Sequence, residues 1–109
     1  MNYAKTILAV TLLPGIGRST AFLMIKKYGK TIALKGNVDC AQTLTFGTRK
    51  DVIEETKKCI GIGAPGGGYI LSSSNSIHSF VKPENFAAML ETHKIYGNYT
   101  WVFLKYRNL

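Results

Sequence analysis

The sequence predicts an α/β fold of parallel βαβαβα units, on two observations. Short apolar runs rich in β-branched and aromatic residues, within Lys5 to Leu13, Thr31 to Val38 and Tyr69 to Leu71, alternate with longer stretches of helical character. Such alternation favours a parallel sheet with right-handed crossovers. The second observation is where the polar residues fall. Ser72, Ser73, Ser74, Asn75, Ser76 and His78 follow Tyr69-Ile70-Leu71, and Gly36-Asn37-Val38-Asp39 closes the run before it. Ligands of parallel α/β folds bind beyond the strand C-termini, so both clusters are expected at one functional rim.

Taken in order, Thr6, Ile7, Val10 and Thr11 give the first run its strand character. Pro14-Gly15-Ile16-Gly17 reads as a turn. Arg18 to Tyr28 reads as a helix, with Lys26-Lys27 in its last turn and Gly29 after it, both stop signals. The second strand, centred on Ile32-Ala33-Leu34, ends in Lys35-Gly36-Asn37-Val38-Asp39, and Gln42 to Gly47 is a connection. Thr48 is a helix N-cap candidate, with Asp51 three residues on as the reciprocal acid. Val52, Ile53, Thr56, Cys59 and Ile60 then form a helical stripe, with Glu54, Glu55, Lys57 and Lys58 opposite. The run Gly61 to Pro65 is expected to end that helix. Pro83 suits the first turn of a last helix, with Phe86, Met89, Leu90 and His93 on one face and Gly97 at its end. Asn98 to Leu109 reads as a tail or an added strand.

Composition bounds the function. A chain of 109 residues is one domain at most, or part of one. Its 46% hydrophobic content is globular, and disorder would need far fewer apolar residues. The apolar run from Ile7 to Leu13 is too short to span a bilayer, and no small-residue cleavage site marks it as a signal peptide. Cys40 and Cys59 have neither a CxxC spacing nor a histidine pair, which points to reduced thiols in the cytoplasm and to no metal or other cofactor. The net charge of +8 admits a polyanionic partner, but the cations are dispersed and read as a solvated surface.

From residue 26 to residue 99 the chain resembles the C-terminal part of the uroporphyrinogen decarboxylase superfamily, which includes corrinoid-dependent methyltransferases. The matching words are Lys27-Tyr28-Gly29, Ala33 to Asp39, Leu44 to Thr48, Ala64 to Leu71, Ser74 to His78 and Val81 to Asn85, followed by Tyr96-Gly97. Residues 1–25 read as a divergent strand and helix of the same single domain, and 100–109 as a tail. The resemblance implies the C-terminal portion of a (β/α)8 TIM barrel with its active site at the strand C-termini. It implies that Asn37, Asp39, Ser73, Ser74, Asn75 and His78 contact a tetrapyrrole or corrinoid-type ligand. Their alternative role is capping and loop hydrogen bonding.

Three departures shape that reading. The histidine of the decarboxylases aligns with Asn75, and His78 lies further along. The zinc-binding cysteine of the methyltransferase branch aligns with Gly67, which has no thiolate to offer. The family's remaining catalytic groups come from upstream segments, and three β/α units cannot close an eight-stranded barrel. The resemblance thus implies a truncated or split member, inactive alone, that self-associates or docks to an N-terminal half. The parent activity is that of a lyase, decarboxylating tetrapyrrole side chains in porphyrin biosynthesis, or a corrinoid-linked methyltransferase.

A rival reading rests on Leu12 to Ala21, which resembles the helix-hairpin-helix word of DNA-repair proteins. Gly15, Gly17 and Arg18 would hold a DNA phosphate at a helix N-terminus. The motif needs a helix before the hairpin, where Thr6 to Leu13 reads as a strand, so nucleic acid is the lesser reading.

Overall fold

The structure is a computed structural model that describes residues 6–7, 32–65 and 67–98. The elements are β1 (Thr6–Ile7), β2 (Ile32–Val38), α1 (Thr43–Phe46), α2 (Arg49–Gly63), β3 (Tyr69–Ser73) and α3 (Pro83–Tyr96). The expected helix from Arg18 to Tyr28, the Pro14 to Gly17 turn and the tail from residue 99 onward lie outside the described residues.

The three strands form one sheet in the order β1-β2-β3. Both pairings are parallel, with Thr6 opposite Ile32, Lys35 opposite Ile70, and Asn37 opposite Ser72. The strand segments are short, and the α2 crossover brings β3 alongside β2 in the same direction. Parallel β/α alternation therefore stands as read. The structure extends β3 beyond its apolar run, so Ser72 and Ser73 lie within the strand rather than past its end.

Helix α2 starts as its sequence dictates. Thr48 accepts from the Asp51 amide at 3.2 Å, and the Asp51 carboxylate accepts from the Thr48 amide at 2.8 Å. These bonds satisfy donors that the first turn leaves unpaired. They also hold the Asp51 carboxyl below its ordinary value, the backbone bond contributing most. Val52, Thr56 and Ile60 of the expected stripe are fully or almost fully buried. The helix runs to Gly63 and ends within the Gly61 to Pro65 run expected to close it. A side chain at Gly63 would collide with the Tyr69 ring, so glycine there permits close helix–strand packing.

Two further differences concern local bonding. Within the expected connection, α1 forms because the Asp39 carboxylate accepts from the amides of Ala41 and Gln42 at 2.9 and 3.2 Å, turning the chain after β2. In α3 the buried residues are Asn85, Ala88, Met89 and Thr92, whereas Leu90 and His93 are exposed. The polar members of that face are internally satisfied. Asn85 Nδ2 donates to the carbonyls of Leu44 and Gly47 at 3.1 and 2.9 Å, and Thr92 Oγ1 donates to Ala88 at 2.7 Å. Hydrogen-bonded polar groups can be buried at little cost, so the apolar pattern alone misplaces the face.

The core comprises Val38, Cys40, Leu44, Val52, Val81, Ala88 and Met89, with Leu71 and Phe86 packed against it. Ile60 and Ala64 form a second cluster against Tyr69 and Leu71. Both lie on the helix side of the sheet. Among the described residues no element packs on the other side, where Lys35 is exposed and Ile70 is 48% exposed.

Candidate functional site

Parallel pairing puts the ends of β2 and β3 at one edge, and hydrogen bonds join the segments that leave them. Ser74 N–H donates to the Val38 carbonyl at 2.8 Å, and Cys40 N–H donates to Ser74 Oγ at 2.9 Å. The Cys40 thiol lies 3.4 Å from the Ser76 carbonyl, and Lys82 N–H donates to the Leu44 carbonyl at 3.3 Å. The two exits thus form one continuous rim.

Residues 36–39 and 72–78 share that rim, but their side chains divide by task. Asp39 caps the turn into α1, while Ser74 fastens the two exits together. Asn75 Oδ1 accepts from the Ser76 amide at 2.8 Å, and Ser73 Oγ donates to the Asn75 carbonyl at 2.6 Å. His78 Nδ1 accepts from the Phe80 amide at 3.2 Å, and its ring meets the Phe80 ring edge-on at 6.1 Å. Each of these residues performs the capping or loop role that competes with ligand contact.

Asn37 differs. Its Oδ1 is shielded from water and has no hydrogen-bond partner. A buried acceptor without a donor costs roughly 1–3 kcal/mol, and such groups call for a bound partner or a functional reason. Strand alternation places Asn37 on the sheet side away from the helices, beside its register partner Ser72. Ser72 Oγ donates to the Ser73 carbonyl at 3.0 Å and keeps its own acceptor capacity.

Three contributors escape a reading by motif. Ser72 belongs to the Asn37 side, a placement that two-residue alternation from Ile70 would have revealed. Glu55, on the helix face opposite the apolar stripe, accepts the Asp39 N–H at 3.0 Å and steadies the β2 exit. Tyr69 donates its hydroxyl to the Gly36 carbonyl across the sheet. Burial pushes the Tyr69 phenol well above its ordinary value, with the nearby Cys59 adding to the effect, so the group stays a neutral donor. Only tertiary structure brings those last two into place.

Chemically the rim offers hydrogen bonds. Among the described residues no three His, Cys, Asp or Glu side chains are grouped to hold a metal ion. Gly67 has a φ of +83°, a conformation that favours glycine, and it supplies no metal-binding atom. Gly15, Gly17 and Arg18 of the rival hairpin lie outside the described residues.

The architecture defines a class: a parallel β/α-unit protein with polar groups collected at its strand C-termini. The family model for uroporphyrinogen decarboxylase (URO-D) matches residues 15–96. The chain belongs to that family, and the match takes in Gly15 to Arg18 as well as the rim. Comparison with curated proteins and with solved structures found no match. Among the described residues no helix is long and apolar enough to cross a membrane.

Proposed function

We propose that this chain supplies terminal β/α units of a (β/α)8 barrel, with Asn37 and Ser72 offering hydrogen bonds to a tetrapyrrole or corrinoid-type ligand. The carrying observation is the asymmetry of the sheet. Helices cover one side, and on the other Asn37 holds an unmet acceptor. Parallel sheets occur almost only with both faces covered, so further strands belong, in a closed barrel, on the side that no described element covers. Asp39, Ser73, Ser74, Asn75 and His78 shape the mouth rather than touch the ligand. The parent reaction is decarboxylation of tetrapyrrole acetate groups or corrinoid-linked methyl transfer, and groups from other barrel strands are needed for either. The isolated chain is therefore inactive. Cys40 and Cys59, which form no disulfide, suit a reducing compartment such as the cytoplasm.

The test is a graft. The chain replaces the corresponding terminal segment of an active uroporphyrinogen decarboxylase, and folding and turnover are measured beside the chain alone. The expected result is a folded graft and no turnover by the isolated chain. An Asn37→Ala change in the graft should weaken binding of uroporphyrinogen by roughly tenfold, the value of one hydrogen bond. Turnover by the isolated chain, or a graft that cannot fold, overturns the reading.

A further inference from the structure

The apolar stripe that the sequence puts on the last helix is only partly used by the core. Phe86, Leu90 and His93 stand at i, i+4 and i+7 of α3, so they share one flank. Met89 enters the core, whereas Phe86 is partly buried, Leu90 is 49% exposed and His93 is exposed. The opposite flank carries Glu91, which pairs with Arg49 of α2. At 3.6 residues per turn, the buried face of Asn85, Ala88, Met89 and Thr92 lies between the two flanks. Helix α2 is thus held on one flank of α3, and the Leu90 flank is left open.

That flank continues an open strand edge. The Gly68 carbonyl accepts from Leu34 N–H and Ser74 N–H donates to the Val38 carbonyl, both at 2.8 Å, so even-numbered residues of β3 bond to β2. Alternation turns the amides and carbonyls of Tyr69 and Leu71 the other way. Among the described residues these groups have no hydrogen-bond partner, and such an edge is a template for another strand. Sheet order follows chain order, β1-β2-β3, and right-handed crossovers carry such a sheet forward one strand per unit. The next place is therefore beside β3, and the helix of a unit placed there packs on the Leu90 flank.

Residues 99–109 are too few to fill both places, since a strand takes about 5 residues and a helix with its loop about 10 or more. A second copy related by two-fold symmetry would set its β3 antiparallel. Its rim would then lie at the opposite end and add nothing to this mouth.

We propose, resting on the barrel reading above, that the β3 edge and the Phe86–Leu90–His93 flank form one docking surface. Its occupant is a β/α unit from outside residues 1–109, with its strand parallel to β3 and the apolar side of its helix on Leu90. Backbone pairing at Tyr69 and Leu71 sets the direction of the unit, and the Leu90 flank seats its helix.

The test mixes the full chain with the N-terminal segment of an active uroporphyrinogen decarboxylase, cut before the corresponding terminal units. Sedimentation velocity follows the complex, and residue-resolved hydrogen exchange follows the strand edge. In the chain alone the Tyr69 and Leu71 amides should exchange faster than those of Ile70 and Ser72, and in the complex that gap should close. Leu90→Lys should weaken the complex roughly tenfold, because it buries a charge in the contact. Ile95→Lys makes the same change one turn on from Glu91, at a position 62% exposed, and should leave the complex as it was. Circular dichroism checks that both variants fold. Equal losses in the two variants overturn the proposal, as do Tyr69 and Leu71 amides that stay fast in the complex. Slow exchange at both amides in the chain alone also overturns it, and the sedimentation coefficient then tells a homodimer from cover by the chain's own residues. Absence of any complex sinks this inference alone when the graft described above folds; a graft that cannot fold removes the barrel reading with it.

Discussion

The two faces of the β2–β3 pair are built from neighbouring residues and have opposite characters. Val38, Tyr69 and Leu71 face the helices and pack into the core, whereas Lys35, Asn37, Ile70 and Ser72 face away. An ordinary isolated sheet with one wet face would be antiparallel; a parallel sheet normally has both faces covered. Here the helix side is packed, though the buried Thr56 hydroxyl also has no partner, and the other side carries a half-exposed isoleucine and an unmet amide acceptor. The difference teaches where the molecule is complete in itself and where it is built for something else.

The same chemical change made on each face breaks the comparison most sharply. Val38 has no exposed surface. Val38→Thr keeps the shape but inserts a hydroxyl into the core, where an unpaired one costs roughly 1–3 kcal/mol. Urea unfolding should show a lower midpoint by that amount, with the slope unchanged.

A smaller effect tests whether the helix layer is held by its own capping. Thr48→Ala removes the side-chain acceptor for the Asp51 amide and should cost about 1 kcal/mol. It should also alter the acid limb of stability. Asp51 titrates below its ordinary value of 3.8 chiefly because the Thr48 backbone N–H donates to its carboxylate, with the Thr48 side chain adding to the effect. A depressed carboxyl contributes stability that is fully present above pH 3.8 and is lost as pH falls through the lower folded-state value. The backbone bond from residue 48 survives the substitution, so the variant should lose part of this acid dependence and keep the rest. A midpoint-against-pH series from pH 2 to 7 on both proteins checks it; identical acid limbs would remove Thr48 from the account.

Local chemistry explains what could be read from sequence. The Thr48–Asp51 cap, the Pro83 start and the strand–helix alternation are encoded within a few residues of where they act. The shared rim also follows from sequence, because parallel topology forces consecutive strand exits to one edge. The division of labour along it does not. Asp39, Ser74, Asn75 and His78 have the residue types of a binding site, yet their partners are backbone amides set by the turns. The apolar pattern misplaces the buried face of α3 because Asn85 answers to carbonyls of residues 44 and 47, which no periodicity of the helix itself contains. In the sequence Tyr69 belongs to an apolar run and Glu55 to a charged helix face, since their hydrogen bonds exist only after β3 and α2 have packed against β2.

The smallest expected effect is the most informative about the bare face. Ile70→Thr keeps β-branching and strand propensity at a position already 48% exposed. In the chain alone it should shift the unfolding free energy by no more than about 0.5 kcal/mol, as surface changes do. In the family enzyme carrying this chain as its terminal segment, Ile70 would be enclosed by neighbouring strands, and the same change should cost about 1–3 kcal/mol. The contrast between the two contexts is the measurement. Equal small losses in both would mean that nothing covers the face even when the remaining strands are supplied. Equal large losses would mean that the chain already covers it by itself.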